Sequence, residues 1–288
     1  MEYFGNDEAG AAVLCVIVPA HDEAGYVGPC LDALLASEDP GGAVHVIVAA
    51  NGCRDTTVAE ASERAAGFAA RGWRLAVLDL PEGGKTGALN AAERGLGPGM
   101  RVYVDADVRV SPPLLAALAA VLDRPGAAYA SGRPRIPPAR SAVSRLYARF
   151  WQRLPFVADG VPGFGVFAVN AAGRARWGAF PDLIADDLFV RQCFVAAERH
   201  GVAAVYDWPI TEGFAALVRV RRRQDAGSRE VAARFAGLPG LAEPTAPSGA
   251  ALARLGLRDP AGFAVYAAVA LAGRAGLFAR RERWARGR

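Results

Sequence analysis

Four short apolar runs punctuate the first half of the chain: Val13 to Val18 (VLCVIV), Val44 to Ala50 (VHVIVAA), Leu75 to Leu80 (LAVLDL) and Arg101 to Val104 (RVYV). Each is rich in β-branched residues and bounded by Pro, Gly, Asn or Asp, a pattern that predicts strands. Stretches with helical spacing follow them, near Tyr26 to Ala36, Thr56 to Ala70, Thr86 to Arg94 and Pro112 to Leu122. The strand runs are continuous and not alternating, so both of their faces should be covered. A mostly parallel α/β sheet flanked by helices presents itself in this way.

The second half is less regular. Proline-rich Arg133 to Ala139 reads as a connector, followed by an aromatic and arginine-bearing helix near Ser144 to Leu154. A glycine-rich strand candidate, Gly163 to Val169, leads to Asp186-Asp187 at the start of a helix expected to run to about Arg199. A short strand, Ala203 to Tyr206, and a basic helix carrying Arg219, Arg221, Arg222 and Arg223 come next. The Gly, Pro and Ala content of 237–249 suggests a linker. The expected layout is a catalytic domain over 1–236, with halves at about 13–132 and 133–236, then the linker, then a helical, basic C-terminal extension over 250–288.

Charge alters this picture in one place. Of 33 basic residues 32 are arginine, and Lys85 is the single lysine. Residues 274 to 288 hold six arginines and one glutamate, a local +5, so the rest of the chain sums to about −1 against a total of +4. The basic character therefore belongs to the tail. At 52% hydrophobic and 22% charged, the 288 residues exclude a disordered or coiled-coil bulk. No apolar run reaches the roughly 18 residues of a membrane span. The N-terminal residues lack the flank and apolar stretch of a secretory signal, giving a cytoplasmic expectation. Cys15, Cys30, Cys53 and Cys193 show no paired spacing and read as small buried hydrophobes, not a disulfide framework or a zinc site. No basic surface interleaved with aromatics is visible, which argues against nucleic acid.

In parallel sheets ligands sit beyond the carboxyl ends of the strands. Those ends read His21-Asp22-Glu23, Asn51-Gly52-Cys53-Arg54-Asp55, Glu82-Gly83-Gly84-Lys85 and Asp105-Ala106-Asp107. Carboxylates at i and i+2 turn to one side of a strand end and form a hard oxygen site suited to Mg²⁺ or Mn²⁺. Glycines before Lys85 open a helix N-terminus to an anion. A Walker A loop is incomplete, because position 79 is Asp where the motif needs Gly. Asp186-Asp187 lies in an apolar setting that suits a general base, although helix capping alone would also explain it. The arginines of the basic helix suit either a solvated face or a phosphate.

Taken together these segments resemble the family 2 glycosyltransferases of the glycosyltransferase-A fold, over about Val13 to Arg229. VIVPAHDEA is similar to the opening strand and its Pro-x-x-Asn-Glu loop, VIVAANGCRDTT to the second strand and loop, and GGKTGALNAA to the Gly-Lys-x-x-Ala-Leu-Asn segment. VYVDADV resembles the Asp-x-Asp strand end, GFGVFAVNAAGRARWGAF the acceptor-side segment, DDLFVR the acidic pair, and RRRQDAG the late basic motif. The resemblance implies inverting transfer of a sugar from a nucleoside-diphosphate sugar to an acceptor hydroxyl. It implies a nucleotide pocket of Pro19, His21, Glu23, Asn51, Asp55 and Lys85, and Asp105 and Asp107 at the nucleotide ribose and metal. Arg222, Arg223 and Gln224 would stand by the diphosphate, and Asp187, or else Asp186, would be the base.

Two positions depart from the pattern: Ala50 stands where an aspartate usually meets the nucleobase, and Arg191 follows Asp187 by four residues, which loosens the register of the acidic pair. The expected acceptor is a glycan, lipid-linked or small-molecule hydroxyl. The Ser144 to Leu154 helix, the Phe263 to Gly273 run and the arginine tail together suggest peripheral contact with an anionic membrane surface. A sugar nucleotidyltransferase is the alternative enzyme, but it would want a glycine- and arginine-rich loop where Ala20-His21-Asp22-Glu23 stands. A catalytically degenerate scaffold of the same fold is the other alternative.

Overall fold

The computed structural model describes residues 13–158, 160–242 and 248–275. Its elements run β1 (Val13–Ala20), α1 (Val27–Leu35), β2 (Ala43–Asn51), α2 (Thr57–Ser62), α3 (Ala65–Ala70), β3 (Arg74–Leu80), α4 (Lys85–Glu93), β4 (Met100–Val104), β5 (Arg109–Val110), α5 (Leu114–Leu122) and β6 (Tyr129–Arg135). The second half continues with α6 (Ala142–Trp151), α7 (Pro155–Ala158), β7 (Val166–Val169), α8 (Ala171–Arg174), α9 (Asp186–Gln192), β8 (Arg199–Asp207), α10 (Phe214–Arg234), α11 (Gly249–Arg258) and α12 (Pro260–Arg274). One eight-stranded sheet has the order β3-β2-β1-β4-β7-β6-β8-β5. Its first four strands are parallel, and β7 runs antiparallel to both β4 and β6.

Alternation along these strands builds two cores, one on each face. Val16 and Val18 of β1, Val46 and Val48 of β2, and Val102 and Val104 of β4 point to one cluster with α1 and α5. Ile17, Ile47, Tyr103 and Phe167 point the other way, onto α4 and α9. Both faces are therefore apolar, which is why these strands read as mostly continuous hydrophobic runs, not as alternating ones. The four strand ends open on one edge, as a parallel sheet with its helices connecting behind requires.

Several expectations change. The helix expected over 56–70 breaks at Glu63 and Arg64 into α2 and α3. Arg133 to Ala139 is not simply a connector, because 129–135 is β6, paired with β7 and β8. The helix beginning at Asp186 stops at Gln192, and Arg199 opens β8 instead. Residues 239–242 of the expected linker form a 3-10 turn, with Gly240 packed so closely that a Cβ would meet Gln192 and Arg199. Residues 243–247 and the arginine tail beyond Ala275 lie outside the described residues.

The helix expected over 144–154 is α6, and its apolar face does not meet a membrane. Tyr147, Phe150 and Trp151 are buried in a third cluster with α10 and α12. The Phe150 ring lies tilted against Tyr266 at 5.1 Å and Phe263 at 5.7 Å, both on α12. Full burial of one such ring is worth about 1.5–3 kcal/mol, and Asp259 reinforces the joint. It caps α12 by accepting from Gly262 N–H at 3.0 Å and pairs with Arg149 of α6 at 2.5 Å. No helix among the described residues is long and apolar enough to cross a membrane.

Candidate active site

Asn51 ties the first three strand ends together. It is fully buried at the end of β2, and its Nδ2 donates to the Ala20 carbonyl at 2.7 Å while its Oδ1 accepts from Gly84 N–H at 2.9 Å. His21 Nδ1 lies 2.6 Å from the Asn51 carbonyl, and since a carbonyl only accepts, Nδ1 carries the proton. Gly52, at φ 58°, donates to Leu80 O at 2.7 Å; a Cβ there would come within 2.9 Å of Gly83 N. Only glycine lets these loops close on one another. Asp55 accepts from Ala24 N–H and Thr57 N–H, both at 3.0 Å, and Thr57 Oγ1 accepts from Glu23 N–H at 2.7 Å. Between the loops lies a cleft of about 530 Å³ lined by His21, Arg54, Asp79, Pro81 and Gly83, among others.

A second, much tighter crevice adjoins Lys85, the first residue of α4. Lys85 Nζ stands 2.9 Å from Asp105 Oδ1 and 3.1 Å from Asp186 Oδ2. Burial alone would lower the lysine's pKa, but Asp105, then Asp186 and Asp187, raise it above its ordinary range. It is an ammonium at any working pH. Asp105 is held by its own N–H, which donates to Gly165 O at 2.8 Å. Ala106 turns into the core, leaving Asp105 and Asp107 half-buried at the strand end. Two hard carboxylates at one strand end suit a divalent cation of the kind that accompanies a diphosphate.

The acidic pair at the start of α9 divides into two environments. Asp186 is 4% exposed and paired with Lys85. Asp187 is half-buried, and its Oδ1 accepts from Leu188 N–H at 2.7 Å. Burial first, and the Asp186 charge second, push its carboxyl up to about 6. Neighbouring carboxylates in unlike surroundings separate into distinct acid–base roles.

The structure thus gathers Pro19, Lys85, Asp105 and Asp186 around the crevice and His21 on the wider cleft. Asn51, Asp55 and the Glu23 backbone build the loops. Arg222 and Arg223 line neither cavity. The Arg222 stem lies toward Gly273 of α12, whereas Arg223 shares a helix face with Gly227, which packs on Ala185 just before the acidic pair. Gln224 is exposed. Asp22, Cys53 and Asp55 bring ligand atoms within 4.8 Å of one another, but both carboxylates already hold loop N–H groups, and burial raises the Cys53 thiol. Cys15, Cys30 and Cys193 are buried and Cys53 half-buried, all free. Sequence reasoning missed Asp79, which lies inside β3 and not after it, and Gly165, whose carbonyl holds Asp105.

A parallel sheet whose strand ends carry a glycine-bounded cleft, a buried ammonium and paired carboxylates defines a nucleotide-binding α/β enzyme. The chain belongs to glycosyl transferase family 2, whose model matches residues 15–176, and it is a glycosyltransferase of the glycosyltransferase-A fold. It matches no curated protein. Among solved structures it is similar to a mannosyltransferase, PcManGT, from Pyrobaculum calidifontis, in complex with GDP-Man and Mn²⁺: 22% identity, TM-score 0.58, 93% of this chain and 76% of that one. It is also similar to glucosyl-3-phosphoglycerate synthase from Mycobacterium tuberculosis with Mn²⁺, UDP and phosphoglyceric acid (18% identity, TM-score 0.53, 79% and 80% covered). Mannosyl-3-phosphoglycerate synthase from Rubrobacter xylanophilus matches at 18% identity and TM-score 0.52, with 78% and 74% covered. At these identities the likeness is one of fold.

Proposed function

We propose that the chain transfers a sugar, with inversion, from a nucleoside-diphosphate sugar to an acceptor hydroxyl, with Asp187 as general base. The observation that carries this reading is the unequal acidic pair. Asp186 is neutralised by Lys85 at 3.1 Å, while Asp187, pushed up to about 6, is poised to take a proton near neutral pH. The acceptor O–H proton passes to Asp187 as its oxygen bonds the anomeric carbon and the bond to the diphosphate breaks on the opposite face. Lys85 stabilises the departing diphosphate, and Arg223, one helical turn before Gly227 where α10 packs on Ala185, is the candidate on α10 to assist. Asp105 and Asp107 would hold Mg²⁺ or Mn²⁺, which supplies charge neutralisation of the leaving group. GDP-Man with Mn²⁺ in the complex of one fold relative, and UDP with Mn²⁺ in that of another, support this choice of donor and metal.

Asp107→Ala should abolish Mn²⁺-dependent donor hydrolysis, and unchanged turnover would remove this site assignment. A thermal-shift panel of nucleotide sugars with and without Mn²⁺ identifies the donor through mass-action stabilisation. NMR of the product's anomeric proton reads inversion.

For the acceptor side we infer a cytoplasmic enzyme in peripheral contact with an anionic membrane, suited to a lipid-linked hydroxyl. The support now lies on α11 and α12 and no longer on α6. Leu257 is 84% and Leu271 64% exposed, α12 carries no charged side chain before Arg274, and Arg254 and Arg258 flank the face. An apolar helix face edged by arginines suits a lipid interface. Removing residues 274 to 288 should weaken co-sedimentation with anionic vesicles; unaltered binding would overturn the role of the tail.

A further inference from the structure

We propose that Asp79 selects the nucleobase of the donor and that the base it selects is guanine. This rests on the reading of the chain as a nucleotide-sugar transferase and names the donor class of that same site. The cleft of about 530 Å³ is of ligand size. Gly52 and Gly83 line it together with the apolar Leu80 and Pro81. Gly83, which lines it, stands two residues before Lys85 in the chain, so a nucleoside seated in the cleft would direct its phosphates toward that segment.

The polar groups of the cleft are not equally available. His21 Nδ1 is engaged with the Asn51 carbonyl at 2.6 Å, and Asp22 Oδ1 with Arg54 N–H at 2.7 Å. Asp79, by contrast, takes part in no hydrogen bond or ion pair among the described residues. Its place in the sheet explains why it faces the ligand alone. Ala20, Ala50 and Asp79 are register partners across β1, β2 and β3, so they form one row on one face of the sheet. Ala20 and Ala50 are buried in the core, whereas Asp79, in the row's position on the edge strand β3, is exposed and lines the cleft.

A carboxylate accepts hydrogen bonds and donates none. Guanine presents an N1–H and an exocyclic N2–H side by side, and the two oxygens of Asp79 match them as a parallel pair. Uracil offers a single N3–H between two carbonyl oxygens, so it satisfies one carboxylate oxygen and leaves the other without a donor. Adenine and cytosine place a ring acceptor beside the amino group, so one carboxylate oxygen faces a lone pair. Guanine alone among the common bases satisfies both oxygens.

Substitution by asparagine inverts this logic. The Asn amide offers one acceptor and one donor, which suit the N3–H and an adjacent carbonyl of uracil. The test is isothermal titration of GDP and UDP, with Mn²⁺ present, into the full chain and its Asp79→Asn variant. Asp79 is exposed, and an unchanged far-UV circular dichroism spectrum verifies that the variant is folded. The wild-type chain should bind GDP at least about tenfold more tightly than UDP, and Asp79→Asn should reduce that ratio by about tenfold or more. Tight binding of both nucleotides with the same ratio in the two proteins would overturn the role of Asp79 and leave the transferase reading intact. A wild-type preference for UDP would overturn guanine, again without touching that reading. Failure of GDP, UDP, ADP and CDP alike to bind would overturn both.

Discussion

Replacing Asp187 by asparagine should make the protein more stable at neutral pH while disabling it. The carboxyl is pushed up from its ordinary 3.8 to about 6, chiefly by burial. A group whose pKa is raised on folding holds its proton more tightly in the folded chain. Its contribution to stability is complete below pH 3.8 and is lost as the pH rises through about 6. At pH 7 the folded chain therefore carries an ionised, partly desolvated carboxylate at a cost of about 3 kcal/mol, taking about 1.4 kcal/mol per pH unit between the two values. Asparagine removes the charge and keeps an oxygen to accept from Leu188 N–H, now 2.7 Å from Asp187 Oδ1. With unfolding entropy near 2.1 cal/mol/K per residue, the thermal midpoint should rise by about 5 °C at pH 7.

The gain should shrink to less than about 1 kcal/mol at pH 4, where the wild-type carboxyl is already largely protonated in the folded chain. Scanning calorimetry of both proteins at the two pH values measures this directly. In the same preparation, turnover should fall by about 10²–10⁴-fold, the usual worth of a positioned base. A variant that is less stable at pH 7, or equally stabilised at both pH values, would refute the burial argument. One that retains turnover would refute the assignment of the base.

Asp186→Asn removes the second cause of the raised Asp187 value, so the acid limb of the rate profile should move to lower pH; a limb that stays near 6 would show that Asp186 does not act on Asp187. Lys85→Arg should fold yet lose at least about tenfold in kcat, because a guanidinium fork pairs with one carboxylate and does not sit within about 3 Å of two as the ammonium does; an active variant would show that charge alone suffices. Asp259→Ala deletes the cap of α12 and its tie to Arg149 and should cost about 2 kcal/mol in urea unfolding, with earlier proteolysis of the C-terminal helices. Equal protease resistance would mean that the aromatic contacts of Phe150 suffice to hold α12.

How far the sequence discloses this structure depends on what each residue is selected to do. Strands β1, β2 and β4 are legible because they are covered on both faces, so their burial is written as mostly apolar, Val- and Ile-rich runs broken only by His45 and Arg101. Strand β6 carries Tyr129, Ala130 and Ser131 just as deeply, yet its Gly132 and Pro134 read as turn signals. Gly132 is there for space, since a Cβ would meet Leu114 and the Ala204 carbonyl. Packing against neighbours distant in sequence has imitated a turn. Lys85 and the Asp105–Asp107 pair were legible because chemistry at a strand end stands out from apolar surroundings. The bridge from Lys85 to Asp186 was not, because it joins the two halves of the chain, and no local period records a tertiary ion pair. Asp79 escaped for the opposite reason, lying inside a strand where only its register with Ala50 reveals what it faces.

The charges of the site also set the order in which it can be filled. Asp105, Asp107, Asp186 and Asp187 contribute four carboxylates against the single ammonium of Lys85, and two of them already share that ammonium. A diphosphate approaching such a surface is repelled unless positive charge accompanies it, and low-dielectric surroundings strengthen the repulsion. Lys85 alone does not reverse the balance, because each phosphate oxygen it gains must displace Asp105 or Asp186. Neutralising Asp105 and Asp107 from the solvent side relieves both conflicts at once, since it frees the ammonium from Asp105 and presents a cation to the diphosphate. The same change also withdraws negative charge from the neighbourhood of Asp187, whose raised value depends in part on Asp105. On the proposed assignments, occupation of the donor site and ionisation of Asp187 are coupled through one lysine, a chemical reason for its presence among 32 arginines.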